Sequence, residues 1–317
     1  MILTVTLNPC VDHAMFVEQL HPNDSNRVLR VERDAGGKGL NLSRVVAELG
    51  GSTVATGFLG GSVSHSIRHD LDSQGVVHRF VPIEGETRVN FSVEDASGLP
   101  PTTFNERGPA IQAHELAEFW NLLPELLYAA RWLAVGGSLP PGVPASVYAD
   151  VVAFARSHGV RVMVDGDGEA MRLALEAGPD VVKPNEDEAE RLLGVSIASR
   201  DDAISALRQL WSRVQGTGAT VRRHALLSRG ANGALLACEE GIYEGVPPKV
   251  EVKSTIGSGD SLLAGFLFGL ENGSSTSEAL RLGVACGAAT ATTSGAEIAR
   301  RPVIDRLLHD VRVEKIG

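Results

Sequence analysis

The amino-acid sequence predicts an α/β protein built on a mostly parallel, doubly wound central sheet. The main observation is a regular alternation, in which short apolar runs are followed by stretches whose apolar residues recur at helical spacing. The composition is that of a globular chain, since 43% of the 317 residues are hydrophobic and 21% are charged. Two segments depart from the alternation, and their pattern predicts a second, smaller sheet.

Three elements near the start of the chain establish a strand-helix-strand order. Residues 2–7 form a β-branched run, which we predict to be a strand that ends before Pro9, because proline cannot continue a strand ladder. A helix is predicted after the glycines at 36–39, where apolar residues recur at helical spacing over 42–49. The apolar run 53–59 is then the next strand.

The same order resumes in the middle of the chain. A helix is predicted over 112–128, a strand over 131–135, a helix over 144–157 and a strand over 160–164. Residues 222–247 then contain two or three short strands separated by glycine turns. Strand-helix alternation of this kind favours a sheet that is covered by helices on both faces.

The small sheet is predicted from two segments that are far apart in the chain. Residues 10–33 and 85–107 carry alternating polar and apolar side chains, the pattern of half-exposed antiparallel strands. We predict that they form one small sheet that stands off the main domain as a lid. The main domain then comprises residues 1–9, 34–84 and 108–317.

The charge and hydropathy of the chain argue against several classes of function. The formal net charge is −10, so nucleic acid would be repelled and is not expected as a partner. Because no stretch approaches about 18 uninterrupted apolar residues and the first residues lack signal-peptide features, we expect a cytoplasmic protein without a membrane partner. The three cysteines are widely spaced and fit neither a disulfide framework nor a zinc site.

The first candidate site is a glycine-rich turn that opens a helix near residue 257. The backbone N–H groups of Gly257, Ser258 and Gly259 would point at an anion, with the helix dipole behind them. Asp260, on the same turn, could accept a proton from a substrate hydroxyl. An ordinary helix N-cap has the same local pattern, so this turn alone does not decide between the two.

A second glycine-rich segment, GGKGLN at 36–41, also opens a helix. It adds a cation at Lys38 and an amide donor at Asn41, which suit a phosphate or the hydroxyls of a polyol. The segment is not a Walker loop, because Gly39 stands where Ser or Thr is required. The turn at 257–259 likewise does not continue into the dinucleotide-binding fingerprint.

A third candidate site is the acidic segment KPNEDE at 183–188. Proline precedes a predicted helix on which Asn185 and Glu188, three residues apart, face the same way. Oxygen ligands in this arrangement could hold Mg²⁺ through water. The alternative is an acidic helix N-terminus that only complements the helix dipole.

Six segments that carry such residues follow one another along the chain. They are Asn8-Pro9 with Asp12, GGKGLN at 36–41, GSLPPG at 137–142, KPNEDE at 183–188, the Ser228-Arg229-Gly230 turn and IGSGDS at 256–261. Together, in this order and over the whole chain, they resemble the PfkB (ribokinase-like) carbohydrate kinases. The segments at 6–9, 86–90 and 105–109 resemble the branch of 1-phosphofructokinases and tagatose-6-phosphate kinases.

The resemblance implies a role for each matching residue on the acceptor side of the site. Asp260 would be the catalytic base, and the backbone of Gly257, Ser258 and Gly259 would receive the transferring phosphate. Two further groups would bind the sugar and the phosphate that it already bears. The sugar site would be lined by Asp12, Gly37, Asn41 and Ser138, and the phosphate clamp would be formed by Arg27, Lys38 and Arg88.

On the nucleotide side, the resemblance implies ATP and Mg²⁺ as cofactors. Lys183, Asn185 and Glu188 would face the ATP phosphates and Mg²⁺, with Glu188 holding the metal through water. Ser228 and Gly230 would border the nucleotide. The implied fold is a ribokinase-like three-layer sandwich with a small β lid, and a homodimer formed through the lid is also implied.

The activity implied is ATP-dependent phosphorylation of a ketohexose phosphate, which yields a bisphosphate. Fructose 1-phosphate, fructose 6-phosphate and tagatose 6-phosphate are the acceptors that the sequence leaves open. Two alternatives also stay open: a kinase of an unphosphorylated sugar or nucleoside, and a sugar-phosphate sensor without catalysis.

Overall fold

The computed structural model of the chain describes residues 1–95, 101–214 and 223–317. Predictions that concern 96–100, within the predicted lid, or 215–222, within the predicted main domain, lie outside the described residues. No helix in the described ranges combines the length and the apolar character needed to cross a bilayer.

The strands and helices follow the chain in two interleaved series. The strands are β1 (Ile2–Thr6), β2 (Cys10–Val17), β3 (Val28–Gly36), β4 (Thr53–Gly60), β5 (Val77–His78), β6 (Val81–Ile83), β7 (Arg88–Glu94), β8 (Thr102–Phe104), β9 (Trp132–Gly136), β10 (Arg161–Asp165), β11 (Val181–Val182), β12 (His224–Ser228), β13 (Ala234–Cys238), β14 (Gly241–Val246) and β15 (Arg312–Lys315). The helices are α1 (Lys38–Glu48), α2 (Val63–Ser73), α3 (Ala113–Leu127), α4 (Val147–Ser157), α5 (Gly168–Glu176), α6 (Glu186–Leu193), α7 (Arg200–Val214), α8 (Ser258–Glu271), α9 (Thr276–Thr290) and α10 (Arg301–Leu308).

The large sheet has eleven strands within the described part of the chain. Its order is β15-β14-β13-β12-β11-β10-β9-β1-β4-β5, and β6 pairs with β4 off this path. The pairs from β12 through β1 to β5 are parallel, whereas β13, β14 and β15 add antiparallel strands at one end. The mostly parallel sheet predicted from the alternation of elements is therefore confirmed.

The central strands of this sheet, such as β1 and β9, are buried on both faces, which produces the three layers. In β9, Leu133 and Val135 face one core while Trp132 and Ala134 face the other, because successive strand side chains point to opposite sides. Helices α3, α4, α5 and α7 pack on the first face, and α1, α8, α9 and α10 pack on the second. The predicted sandwich of helices on both faces is confirmed.

The second sheet has the order β3-β2-β7-β8 and is separate from the large one. Its outer pairs are antiparallel as predicted, but the central pair, β2 and β7, is parallel. Both strands leave the same edge of the large sheet, since β2 follows β1 directly and β7 follows β6, so they run in the same direction. The predicted small sheet is confirmed, while the division of the chain into main domain and lid stays a prediction.

The carboxyl ends of the parallel strands bring distant polar residues to one edge. Asn8 follows β1, Ser138 follows β9, Asp165 ends β10 and Lys183 follows β11. Helices α1 and α8 begin at this same edge, and the small sheet stands beside it. In open α/β sheets this edge is where ligands bind.

We expect the core between the large sheet and α8 to dominate the stability of the fold. Phe266 is fully buried there, whereas Tyr128, directly after α3, is 96% exposed. Phe266→Ala should lower the free energy of unfolding by about 3–5 kcal/mol, and the control Tyr128→Ala by no more than about 0.5 kcal/mol. Urea denaturation followed by circular dichroism measures both. Equal losses would contradict this assignment of the core.

Candidate active site

A cavity of about 330 Å³ lies between the carboxyl edge of the large sheet and the small sheet. Both sheets and the first turns of α1 and α8 contribute to its wall. The structure thus brings together residues that are up to about 250 positions apart in the sequence. The predicted site residues that line it are Asp12, Gly37, Lys38, Asn41, Arg88, Ser138, Gly257 and Asp260.

Asp260 lies on the first turn of α8 and is partly buried at the cavity wall. Gly257 precedes the helix with φ 73°, a left-handed conformation that favours glycine and turns the chain into the helix. Asn41 of α1 donates a hydrogen bond from Nδ2 to Asp260 Oδ2 at 2.8 Å. Removal of the carboxyl from bulk water raises the pKa of Asp260 to about 6, although Lys38 acts in the opposite direction.

The backbone amides that precede Asp260 have the geometry of a helix N-terminus. The first bond of the turn runs from Ser261 N–H to Gly257 O at 2.8 Å, so the earlier amides have no partner inside the helix. The Ser258 amide makes a longer bond of 3.3 Å to Thr255 O. Such amides, with the helix dipole behind them, can stabilise an anion beside the carboxylate.

A buried carboxylate connects two lysines at the floor of the site. Asp165 Oδ1 accepts a bond from Lys38 Nζ at 2.7 Å, and its Oδ2 lies 3.3 Å from Lys183 Nζ. Burial alone would raise the pKa of Asp165, but Lys183 and Lys38 hold it below its ordinary value. Sequence reasoning missed Asp165 as a site residue. Its position directly after the apolar run 160–164 was the available signal, since parallel strands end at the binding edge.

The sugar side of the cavity is organised around Asp12. Its Oδ1 accepts hydrogen bonds from Asn90 Nδ2 at 3.0 Å and from Cys10 Sγ at 3.2 Å. The parallel register of β2 and β7 places Asn90 opposite Asp12. Asn90 was not among the predicted site residues, because only the pairing of β2 with β7 brings it to Asp12. Cys10, also outside the predicted set, lies two residues before Asp12 on β2, so both side chains are on the same face of the strand.

The three cations of the predicted phosphate clamp are not all at the cavity. Arg88 lines it, and its guanidinium is held by Asn8 O at 3.0 and 3.2 Å. Lys38 also lines it, but its ammonium group pairs with carboxylates. Arg27 lies exposed in the loop before β3 and is not among the described residues that line the cavity. The clamp therefore stays a prediction.

A second cleft of about 500 Å³ adjoins the first, and Lys38 and Ser138 border both. Three carboxylates are among its lining residues, namely Asp167, Glu169 and Glu188. In the described ranges no three His, Cys, Asp or Glu side chains gather into a metal-binding group. Glu188, which was predicted to hold Mg²⁺ through water, is one of the carboxylates at this cleft, and its role as a ligand stays a prediction.

The segment at 183–188 forms a helix N-terminus beside the second cleft. Asn185 Oδ1 accepts from Glu188 N–H at 2.7 Å, and Glu188 Oε2 accepts from Asn185 N–H at 2.9 Å, which is a capping box. Glu188 Oε1 lies 3.3 Å from Lys38 Nζ, so the same carboxylate also faces the site. Ser228 forms a β-bridge with Asn185, and Gly230 begins the 3₁₀ turn that follows. None of Lys183, Asn185, Ser228 and Gly230 is among the described residues that line either cavity, so their place in a nucleotide site stays a prediction.

Comparison with known proteins agrees with this geometry. Residues 5–302 match the pfkB family carbohydrate kinases. The chain is 31% identical over 316 residues to the 1-phosphofructokinase of Bacillus subtilis (strain 168), and the match covers 100% of both chains. It is 28% identical to a crystal structure of phosphofructokinase-2 from Escherichia coli in complex with fructose-6-phosphate, with a TM-score of 0.87 over 98% of each chain.

A more distant structure shows the breadth of the fold. Arabidopsis thaliana ribokinase, complexed with ribose and ATP, is 21% identical, with a TM-score of 0.75 over 96% of this chain and 98% of the other. At this identity the likeness concerns the fold alone, which is ribokinase-like. Since the family match extends over nearly the whole chain, the protein belongs to the pfkB family of carbohydrate kinases and is an ATP-dependent sugar kinase.

Proposed function

We propose that the protein transfers the γ-phosphoryl group of ATP to a hydroxyl of a phosphorylated ketohexose, with Asp260 as the base. The observation that carries the proposal is the position of the Asp260 carboxyl, held by Asn41 beside the N-terminal amides of α8 at the cavity wall. Two relatives support this class of acceptor: a 1-phosphofructokinase, and a phosphofructokinase-2 in complex with fructose-6-phosphate.

In the proposed reaction Asp260 accepts the proton of the attacking hydroxyl as its oxygen forms a bond to the γ-phosphorus. The bond from that phosphorus to the bridging oxygen of ATP breaks, and ADP leaves with the electron pair. The amides of Gly257, Ser258 and Gly259 stabilise the charge on the migrating phosphoryl group. The products are a ketohexose bisphosphate, ADP and a proton bound to Asp260.

The acceptor sugar is proposed to bind in the 330 Å³ cavity. Asp12 accepts hydrogen bonds from sugar hydroxyls, and its carboxylate is oriented by Asn90 and Cys10. Gly37 is the proposed contact for the sugar ring. Its φ of 121° and the nearby Thr6 side chain restrict this position to glycine. Ser138 and Asn41 complete the proposed set of hydroxyl partners.

The nucleotide is proposed to bind in the adjoining cleft. Lys38 and Lys183, which share Asp165, face the phosphates as a pair of fixed cations. Glu188 fits Mg²⁺ held through water, because its carboxylate borders this cleft and Mg²⁺ prefers oxygen ligands and retains several waters. Mg²⁺ would supply charge neutralisation for the phosphates. The remaining members of this proposed site are Asn185, Ser228 and Gly230.

The small sheet is proposed to act as a lid and as the contact between two copies of the chain. As a lid it would exclude water, which otherwise competes with the sugar hydroxyl as acceptor. Apolar side chains on β3 and β8 are exposed, and a second copy would bury them. The most exposed are Val28 (45%), Leu29 (70%) and Phe104 (60%).

A kinase of an unphosphorylated sugar is the second candidate. The position of Arg27 outside the cavity favours it, since the predicted phosphate clamp is then incomplete within one chain. An ADP-coupled assay separates the two functions. The acceptor panel is fructose 1-phosphate, fructose 6-phosphate and tagatose 6-phosphate, with fructose, ribose and adenosine as unphosphorylated acceptors. Turnover confined to the unphosphorylated acceptors would overturn the proposal.

We expect Asp260→Asn to lower kcat by about 10²–10⁴-fold, because an amide cannot accept the hydroxyl proton. KM for both substrates should change little, since the shape of the side chain is retained. The matched control is Asp201→Asn, an exposed position at the start of α7, which should leave kcat unchanged. Steady-state kinetics with purified variants measures both, and a fully active Asp260→Asn enzyme would exclude this carboxylate as the base.

The raised pKa of Asp260, about 6, predicts two effects of pH with opposite sign. Activity should fall as pH decreases through about 6, because the protonated carboxyl cannot act as a base. The folded protein binds this proton more tightly than the unfolded chain, so stability from this group falls as pH rises from about 4 to 6.

Asp260→Asn should therefore raise the stability at pH 7.5 by an amount on the order of 1–3 kcal/mol and leave it unchanged below about pH 4. Denaturant unfolding at several pH values measures this. A variant that is less stable than the wild type at pH 7.5 would show that the carboxylate is not destabilised by burial.

Arg88 is the proposed cation for the substrate phosphate, and Arg88→Ala should raise KM for the phosphorylated acceptor by at least about tenfold. KM for ATP should remain within about twofold. Because Arg88 also holds the Asn8 carbonyl, the folded state is checked by thermal unfolding. An equal loss with phosphorylated and free sugars would show that Arg88 acts on the cavity as a whole rather than on the phosphate.

A further inference from the structure

Arg44 is a buried cation on α1, one helical turn after Asn41, with a side chain only 3% exposed. Its Nη1 donates to Asn41 Oδ1 at 3.3 Å, to Ala35 O at 3.0 Å and to Ala296 O at 3.3 Å. These contacts reach three separate parts of the chain. Arg44 lies behind the cavity wall and is not among the described residues that line the cavity.

The contact between Arg44 and Asn41 determines which end of the Asn41 amide faces Asp260, the proposed base. A guanidinium has donors only, so the atom of Asn41 that faces Arg44 must be the acceptor Oδ1. The NH₂ group then points the other way and donates to Asp260 Oδ2 at 2.8 Å. The reverse orientation would place donor against donor at Arg44 and an oxygen against the Asp260 carboxylate.

We propose that Arg44 is a positioning residue for phosphoryl transfer, which holds the Asn41 amide so that its NH₂ group always faces the catalytic carboxylate of Asp260. This inference rests on the proposed function, in which Asp260 is the base. It assigns a role in catalysis to a residue that does not touch the substrate.

The chemistry follows from what each orientation of the amide favours. An N–H that donates to Asp260 favours the ionised carboxylate, the form that can accept the hydroxyl proton. An amide oxygen in the same place would favour the protonated carboxyl instead. Because the pKa of Asp260 is already raised to about 6, loss of this donor moves the base toward its inactive form near neutral pH.

The other groups that face Asp260 do not supply this orientation. Lys38 and Lys183 favour the ionised form of Asp260, and Asp165 opposes it. The Cys10 thiol lies across the cavity. The effects of these charged groups on Asp260 do not depend on the orientation of the Asn41 amide.

A purely structural role for Arg44 is the competing explanation. The guanidinium also pairs with Asp34 at 3.3 Å and donates from Nε to Gln74 at 2.9 Å, and Asp70 and Asp12 add nearby negative charge. Arg44 could therefore serve only to stabilise the packing of the end of β3 against α1. The two explanations differ in the pH profile of kcat, since loss of this packing alone would reduce activity at every pH.

The test is the pH dependence of kcat in the double variant Arg44→Met with Asp34→Asn, in which the second change avoids an unpaired carboxylate. We expect the midpoint of the acidic limb to rise by about one pH unit, so that kcat near pH 6 falls several-fold while kcat at pH 8.5 stays within about threefold. Arg44→Lys retains a buried donor and should restore part of the wild-type profile. Asp34→Asn alone and Gln74→Ala, which remove partners of Arg44 but leave its bond to Asn41, should keep the wild-type midpoint.

A second measurement does not depend on turnover. The pKa of Asp260 is followed by ¹³C NMR of the aspartate carboxyls, assigned with Asp260→Asn, and it should rise in the double variant but not in Gln74→Ala. An unchanged carboxyl pKa in a folded double variant overturns the inference even if the protein is a kinase. If no sugar is phosphorylated by the wild type, the proposed function fails, while the NMR result still decides whether Arg44 controls the carboxyl.

Discussion

In the proposed mechanism the site depends on one carboxylate, that of Asp260, which is withdrawn from bulk water and still has to be ionised. Three features favour the ionised form of Asp260: its place at the start of α8, the amide of Asn41 and the positive charge of Lys38. Burial opposes ionisation and these neighbours favour it, which leaves the pKa at about 6. A base in this range is ionised at neutral pH and still strong enough to receive a hydroxyl proton.

The same balance of charge extends across the floor of the site. In a chain of net charge −10, the proposed site would have to receive a polyanionic nucleotide beside a carboxylate. Two cations lie there, because Asp165 holds the ammonium groups of Lys38 and Lys183. The shared carboxylate offsets the repulsion between the two cations in a partly buried space.

Both halves of the site are products of the sheet architecture. The large sheet supplies its carboxyl edge, and the small sheet supplies the facing wall through the parallel pair β2 and β7. Asp12 and Asn90 meet across this pair, whereas Asn41 and Asp260 meet where α1 and α8 pack together. In the proposed reaction the acceptor and the base would thus be held by different elements, and the packing of the two sheets sets the distance between them.

The sequence by itself determined the α/β class, the order of most elements and the glycine turns that start α1 and α8, because these follow from local periodicity and backbone preference. It also made Asp260 a candidate base, through its glycine-rich turn together with the resemblance of six segments to a known family. Only the tertiary structure decided the partners: Asp165 meets Lys38 across 127 positions and Asn41 meets Asp260 across 219. It likewise placed Arg44 against the Asn41 amide and left Arg27 outside the cavity. Contacts of this range depend on strand order and helix packing, which local patterns do not encode.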